Sequence, residues 1–299
     1  MQHCIIGANI MDRLVKCPGS LKPGYGSLAD YDKKQAIHKH YAQTRVENNN
    51  ASRDGEIVDD FAKSYIYEAR TGQNKRLRYA KPEHECDPKY FGPAKKYADH
   101  ILKVAKRFSS IFLDASYDMT KYIDDLPDCE FRVSMNPDIA IMNANRDGLA
   151  FISDLSTACT YDRNKMFQLL CCAVGLVEHY KNVDSVVCEV YNANIRADIV
   201  EVSYSKFSRE ELEAYRDDII IPTLQNVRNA LADNADNIED YRHYNSWCDY
   251  YCRFKDEGCK TCKCKCQKVE NEVPIKLNFF LDLKNDSYIK AYNNLFIND

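Results

Sequence analysis

The chain has 299 residues, of which 45% are hydrophobic and 29% charged, a composition typical of a folded globular protein with a substantial core. No apolar segment approaches the roughly 20 residues that a membrane-spanning helix needs, and the first residues lack a signal-peptide pattern, so we predict a cytoplasmic protein with no membrane partner. The formal net charge of −4 excludes a globally basic nucleic-acid-binding protein, so any such surface must be local.

Helices dominate the predicted first part of the chain, residues 1–108. The spacing of apolar residues predicts helices at residues 28–47, 57–70 and 90–108. The polar segment 48–55, which ends in a glycine, predicts a loop between the first two helices.

Residues 109–235 are predicted to form an α/β core, in which helices flank a mixed central β-sheet. The predicted strands are residues 110–113, 129–133, 139–142, 149–154, 185–191 and 199–204, and an apolar helix at 165–180 separates the fourth from the fifth. Ser208 and Glu211 form a capping box for a helix that extends to about residue 232, and Pro222 is expected to kink or divide it. The simplest account is a single domain, 1–299, whose last part, 236–299, is a cysteine-rich metal-binding region.

Two neighbouring predicted strands are each bounded by an aspartate. Asp138 stands beside the strand at 139–142, and Asp154 closes the strand at 149–154. Strands that follow each other across a turn can bring two such carboxylates together, and hard cations such as Mg²⁺ and Mn²⁺ prefer fixed oxygen ligands. The alternative is that both are ordinary solvated residues at strand ends.

The 14 cysteines are unevenly distributed, and many of them crowd into the last part of the chain. Six lie within the 19 residues 248–266: Cys248, Cys252, Cys259, Cys262, Cys264 and Cys266. In a chain with no secretion signal, that density favours metal ligation over disulfides.

Several short motifs resemble the PD-(D/E)XK nucleases, in particular the RecB-like branch that includes phage and CRISPR-associated exonucleases and the AddB nuclease domain. Asp138 follows a proline, and Asp154 lies 16 positions later. Gln168 stands on the next helix in the place of the family glutamine, and the segment that ends at His40 resembles the family's Gly-Thr-x-x-His. The resemblance covers residues 17–259 and implies a restriction-endonuclease-like core.

This resemblance implies a metal site and a hydrolytic activity. The metal ligands would be His40, Asp138, Asp154 and the backbone carbonyl of Leu155, which would hold Mg²⁺ or Mn²⁺. From the residues alone, His40 is equally a surface histidine of a helix, and the neighbouring His38 is an alternative ligand.

The sequence departs from the family pattern where a lysine is expected. The position two residues after Asp154 is Ser156, and the family tyrosine four residues after Gln168 is replaced by Cys172. Lys165 lies three residues before Gln168, on the same predicted helix face, and could supply the missing cation. Its alternative role is an ordinary surface lysine at a helix start. The catalytic set that the resemblance implies is therefore Asp138, Asp154, Lys165 and Gln168.

Some RecB-like nucleases also carry a four-cysteine iron–sulfur cluster with one ligand upstream and three downstream of the nuclease motifs. The matching residues here are Cys17, Cys248, Cys252 and Cys259, which would hold a [4Fe–4S] cluster or, alternatively, Zn²⁺. Cys262, Cys264 and Cys266 are either free thiols or part of a second metal site. Lysines interleave them, and residues 252–268 hold six Lys or Arg and two acidic residues, a net charge of +4 that would suit a DNA backbone.

The leading hypothesis is a metal-dependent DNA exonuclease that acts in phage DNA recombination, repair or degradation, in the host cytoplasm if it is phage-encoded. One alternative is a degenerate relative that binds DNA or a partner protein without cutting, which Ser156 favours. A second is a zinc-ribbon interaction protein. DNA is the predicted partner, and a single-strand-binding or recombination protein and a homo-oligomer are further partners consistent with the resemblance.

Overall fold

The computed structural model describes residues 2–20, 48–75, 77–80, 84, 87–127, 129–143, 148–157, 163–194, 199–232 and 278–281. Within these ranges the protein is mixed α/β, with two β-sheets and helices packed against them. The predicted fold class is confirmed at this level. The helix predicted at residues 28–47 lies outside the described residues, as does the cysteine-rich region apart from one short strand.

The described part of the chain contains nine strands and six α-helices. The strands are β1 (Gln2–Gly7), β2 (Ser110–Leu113), β3 (Tyr117–Asp118), β4 (Cys129–Met135), β5 (Ile139–Met142), β6 (Leu149–Ser156), β7 (Ser185–Asn194), β8 (Ile199–Ser208) and β9 (Asn278–Leu281). The α-helices are α1 (Ala8–Lys16), α2 (Asn48–Thr71), α3 (Pro88–Ala105), α4 (Arg163–His179), α5 (Arg209–Tyr215) and α6 (Ile221–Ala232).

The larger sheet has six strands in the order β2-β5-β6-β7-β8-β9. Its pairs are antiparallel except for β6 and β7, which run parallel. A parallel pair needs a long crossover connection, and α4 provides it. The apolar helix predicted between these two strands is therefore the element that makes the sheet mixed.

The smaller sheet was not predicted. It has three strands in the order β1-β4-β3, so the strand predicted at 129–133 belongs to this sheet and not to a single central one. The first 108 residues are also not purely helical, because β1 pairs in parallel with β4 over the whole of Gln2–Gly7. A short strand whose only described partner lies more than 120 residues away has little local signal, since its stability comes from tertiary packing.

Helix α2 begins at Asn48, so the loop predicted for residues 48–55 is wrong. Asparagine and glycine are weak helix formers, but tertiary contacts override such propensities. At Gly55 a side chain would meet the hydroxyl of Thr157 at 3.0 Å. The glycine that indicated a loop thus allows α2 to approach the segment after β6 closely.

The helix predicted from Ser208 to residue 232 is divided, as the proline at position 222 suggested. Ser208 and Glu211 form the predicted capping box at the start of α5. A π-helical turn, Arg216–Ile220, then separates α5 from α6. Pro222 lies in the first turn of α6, where the missing N–H is tolerated, and the irregular turn before it avoids the clash between the proline ring and the preceding carbonyl.

Helix α4 is the centre of the larger of two apolar clusters. It is buried against the six-stranded sheet and the small sheet, with Leu169, Val174 and Val177 at 0–1% exposure. The second cluster joins α2 and α3 to the same large sheet through side chains such as Phe61, Tyr97 and Phe151. Helices therefore cover the large sheet on both sides. Among the described helices, none is long and apolar enough to cross a membrane.

We expect Gly175→Ala to destabilise the protein, although alanine is the better helix former. A Cβ at Gly175 would lie 2.9 Å from the Cβ of Met135 and 3.0 Å from that of Tyr117, which cannot swing away. Overpacking typically costs about 1–3 kcal/mol, whereas alanine gains roughly 1 kcal/mol over glycine in a helix. Urea denaturation measures the sign: a higher free energy of unfolding for the variant would show that α4 does not contact the small sheet this closely.

Candidate active site

Three aspartates line up across adjacent strands at one edge of the large sheet. Leu113 pairs with Ile139, and Ile139 pairs with Ser153. The next residues in the same direction are Asp114 after β2, Asp138 before β5 and Asp154 in β6. Because neighbouring strands are about 4.8 Å apart, the register brings the three carboxylates to one place. Asp138 stands at the start of its strand, and it meets Asp154 because β5 and β6 are antiparallel.

The backbone fixes Asp114 in this row. Its N–H donates to the carbonyl oxygen of Asp138 at 2.9 Å, which extends the pairing of β2 and β5 by one residue. Its φ of 55° lies in the left-handed region, where aspartate is among the few side chains that are tolerated. The strand therefore turns away immediately after Asp114 has been placed beside Asp138.

Lys63 of α2 joins the carboxylates of two elements. Its Nζ lies 2.6 Å from Oδ1 of Asp114, 3.0 Å from Oδ1 of Asp138 and 2.7 Å from Oδ2 of Asp59, and its side chain is 5% exposed. Burial acts to lower the pKa of Lys63, but the charges of Asp138 and Asp59 outweigh it and raise that pKa. All three ammonium hydrogens can thus be donated to carboxylates, and Lys63 stays charged.

Helix α4 supplies the contacts of Asp154. The Nζ of Lys165 lies 2.8 Å from Oδ1 of Asp154, and the amide nitrogen of Gln168 lies 3.4 Å from its Oδ2. Asp154 is only 2% exposed. Burial raises its pKa to about 6, the charge of Lys165 opposes that rise, and the charge of Asp138 adds to it. Lys165 and Gln168, predicted on one helix face, therefore both reach the predicted aspartate.

Ser156 and Leu155 follow Asp154 in β6, where they pair with Asn192 and Tyr191 of β7. Alternate residues of a strand share a face, so Ser156 lies on the same face as Asp154. The Ser156 side chain carries no charge. Lys165 places its amine beside Asp154 from the helix instead.

The remaining predicted ligands are not brought to this site within the described residues. His40 and the alternative His38 lie outside them, as do Cys248, Cys252 and Cys259. Cys17 is 8% exposed and lies at the C-terminal end of α1. The predicted four-cysteine cluster therefore stays a prediction.

Sequence analysis missed three residues of the site: Asp59, Lys63 and Asp114. Asp59 and Lys63 are one helical turn apart, a spacing at which opposite charges pair on a helix surface. Asp114 follows a correctly predicted strand, so it carried the same signal as Asp138. The sequence contains many charged pairs on helices and many aspartates at strand ends. It does not show which of them meet in the folded protein.

Asp59 is a partly buried carboxyl group with a raised pKa. Burial and the neighbouring charge of Asp138 raise its pKa to about 7. Its Oδ1 is buried and has no hydrogen-bond partner among the described residues. Four carboxylates, Asp59, Asp114, Asp138 and Asp154, here face four cationic groups, those of Lys63, Lys75, Arg78 and Lys165. The formal charges of the described site therefore balance, and Oδ1 of Asp59 is a buried oxygen in this row that lacks a donor within the described ranges.

The described carboxylates of this site do not form a metal-binding group. In the part of the chain that the structure describes, no three His, Cys, Asp or Glu side chains are grouped so that they could hold a metal ion. Lys63 lies between the carboxylates of α2 and those of the sheet edge. Binding a metal at Asp138 would thus require the Lys63 ammonium to move.

A second buried polar cluster lies at Ser153, the residue before Asp154 in β6. Its polar groups form hydrogen bonds with one another. Glu189 is 0% exposed and accepts from the hydroxyl of Ser153 at 2.9 Å, and Nε2 of His100 lies 2.9 Å from its other oxygen. The hydroxyl of Tyr97 donates to Ser153 at 2.9 Å. These contacts satisfy the buried carboxylate and tie α3 to β6 and β7, which is a structural role.

Comparison with protein-family models, curated proteins and solved structures found no match for this chain. The chemistry of the site therefore has to be argued from its own side chains. The distinguishing features are a row of three aspartates at a sheet edge, a buried lysine that bridges them to α2, and a second lysine on Asp154.

We expect Lys63→Met to lower the free energy of unfolding by about 3–5 kcal/mol at pH 7, the usual cost of removing one partner of a buried ion pair. Three carboxylates would lose their common cation while staying close together. Lys95→Met is the matched control, because Lys95 forms an exposed pair with Asp99 in α3 and should contribute less than about 1 kcal/mol. Urea denaturation in EDTA gives both values, and equal effects would contradict the bridging role of Lys63.

The raised pKa of Asp59 predicts a pH dependence of stability. Between its ordinary pKa of 3.8 and the folded value of about 7, the folded protein keeps a proton that the unfolded chain releases. This contribution to stability is complete below pH 4 and is lost as the pH rises through 7. An asparagine side chain does not titrate. The free energy of unfolding of Asp59→Asn, relative to that of the wild type, should therefore increase as the pH rises from 5 to 8, as measured by urea denaturation in EDTA.

Glu178→Gln is the control, because the pKa of Glu178 is lowered and its effect on stability changes only at acidic pH. Burial acts against ionisation of Glu178, but hydrogen bonds from Lys121, Tyr122 and Arg216 lower its pKa to about 2. Its contribution is therefore lost only as the pH falls below about 4.5, and the variant should differ from wild type by a constant amount between pH 5 and pH 8. A constant difference for Asp59→Asn as well would mean that Asp59 is ionised throughout.

Proposed function

We propose that this protein is a metal-dependent deoxyribonuclease of the PD-(D/E)XK type, a RecB-like exonuclease acting in DNA recombination, repair or degradation. The observation that carries the proposal is the contact between Lys165 and Asp154 at 2.8 Å, beside Asp138. Two sheet-edge carboxylates with an amine next to them are the groups that this chemistry needs. The missing lysine at position 156 is thereby compensated from the neighbouring helix.

Asp138 and Asp154 are the proposed ligands of Mg²⁺ or Mn²⁺, and the Lys63 ammonium that now contacts Asp138 would move aside when the ion binds. His40 and the Leu155 carbonyl remain ligands implied by the family resemblance. When bound, such an ion lowers the pKa of a coordinated water and stabilises negative charge on a phosphate.

Lys165 and Gln168 are proposed to prepare Asp154 for this role. The Lys165 amine favours the ionised carboxylate of a group whose burial raises its pKa, and Gln168 restricts its orientation. The Lys165 side chain is 31% exposed, so its amine is also accessible to a phosphate or a water from solvent.

The alternative function is DNA binding without cleavage. Two observations favour it: Ser156 supplies no cation, and Lys63 already forms ion pairs with Asp114 and Asp138 at 2.6 and 3.0 Å. In that case the acidic row would be a structural centre, and cationic residues elsewhere would hold the DNA. The proposed iron–sulfur or zinc site of Cys17, Cys248, Cys252 and Cys259 is compatible with both functions, and iron, sulfide and zinc analysis of the purified protein identifies its content.

The nuclease proposal predicts cleavage of linear DNA in Mn²⁺ by the wild type. Asp138→Asn and Asp154→Asn should each reduce the rate by at least about 100-fold, since even outer-shell partners of a metal site can contribute that much. Lys165→Met should cost about 100-fold through the lost positive charge. Release of labelled nucleotides measures the rate.

Asp99→Asn is the control for these variants, because Asp99 is an exposed aspartate of α3 that pairs only with Lys95 in the contacts above. It should cleave at the wild-type rate. The alternative function would be established by two results together: the wild type binds DNA without cutting it, and Asp154→Asn binds DNA as tightly as the wild type. Cleavage that survives both aspartate substitutions would place the active site elsewhere.

A further inference from the structure

A short segment beside the site is held rigidly by one buried carboxylate. Oδ2 of Asp60 accepts the backbone N–H groups of Arg78, Tyr79 and Ala80 at 2.6, 2.7 and 3.0 Å. Asp60 is 6% exposed. Three charge-assisted hydrogen bonds to one oxygen fix the backbone of residues 78–80 on α2.

The same part of the chain lies at the rim of the acidic row. Nζ of Lys75 is 3.1 Å from Oδ2 of Asp114, and Nη2 of Arg78 is 3.8 Å from the same oxygen. Asp60 itself follows Asp59 in α2. The segment is therefore anchored to the helix that carries two residues of the site and to the first aspartate of the row.

The side chains that this segment presents are a cation and an aromatic ring. The Arg78 side chain is 65% exposed, and Tyr79 is 52% exposed. Within the described ranges, only two other large hydrophobic residues, Ile5 and Phe91, are comparably exposed. A flat ring on a fixed backbone loses little freedom when a second flat group stacks on it.

The charges at the rim suit a phosphate backbone. Four carboxylates in the site repel phosphates, so a strand that approaches needs cations beside them. Lys75 and Arg78 are cations at that position, and the exposed guanidinium of Arg78 has further N–H groups to donate. The neighbouring ring of Tyr79 would take a base, because every base has a face that stacks on an aromatic side chain.

We propose that the segment held by Asp60 is a binding site for single-stranded DNA, in which a base stacks on Tyr79 and a phosphate binds Arg78. This inference rests on the proposed nuclease function and specifies its substrate as an unpaired strand. Bases within a duplex are already stacked on their neighbours, so only an unpaired base gains from Tyr79. The strand would then lead from Tyr79 past Asp114 to Asp138 and Asp154.

Fluorescence anisotropy in EDTA tests the proposal with two labelled ligands. One is an oligo-dT of about 20 nucleotides, somewhat longer than the usual site of about 4–16 nucleotides, and the other is a duplex of the same length. Tyr79→Ala should weaken oligo-dT binding about tenfold, within the range measured for loss of one stacking residue, and should leave duplex binding unchanged. Tyr79→Phe keeps the ring and should bind oligo-dT like the wild type. Arg78→Ala should weaken both and reduce the slope of log K against log salt by about 1.

Phe91→Ala is the matched control, because Phe91 is also an exposed aromatic residue, at 42%, but lies in α3, outside the segment that Asp60 holds. It should bind like the wild type, and thermal melting should show that all variants are folded. Unchanged oligo-dT binding by Tyr79→Ala, an equal loss with Phe91→Ala, or an equal loss on the duplex overturns the proposal. If Tyr79→Ala weakens oligo-dT binding but the wild type does not cleave DNA in Mn²⁺, the binding site is supported and the nuclease function is refuted. If the wild type cleaves DNA but Tyr79→Ala binds oligo-dT normally, the nuclease function is supported and the binding site is refuted.

Discussion

The pairing register of β2, β5 and β6 is the constraint on which the acidic site depends. Because Leu113, Ile139 and Ser153 are in register, Asp114, Asp138 and Asp154 fall in one row at the sheet edge. A shift of one residue in either pair would move an aspartate to the opposite face of its strand. The apolar clusters on both sides of the sheet hold that register, since a shift would also turn buried side chains outward.

Like charges held this close need compensation, and the helices on the two sides of the sheet provide it. Lys63 comes from α2 and Lys165 from α4, so each helix is tied to the sheet edge by an ion pair as well as by apolar packing. The pKa values of Asp59 and Asp154 are still raised, mainly because of the burial of both carboxyl groups and also because the charge of Asp138 lies nearby. A further positive charge beside them would favour their ionised forms.

Most of the secondary structure around the site could be predicted from the sequence, for reasons visible in particular elements. Strands β2 and β5 were predicted with the observed bounds, and the capping box at Ser208 was correct, because short apolar runs and cap residues act locally. Predictions were wrong where a long-range contact outweighed a local preference. Strand β1 is stabilised by β4, far along the chain, and the polar start of α2 is helical despite its asparagines and Gly55.

The sequence by itself determined which residues could carry the chemistry: Asp138 and Asp154 bounding two strands, Lys165 and Gln168 on one helix face, and no lysine at position 156. Only the tertiary structure decided that Lys165 contacts Asp154, and that Asp59, Lys63 and Asp114 join the same site. The reason is physical. Periodicity and caps report on neighbours within a few residues, whereas the site brings together groups up to about 100 positions apart through strand register and helix packing.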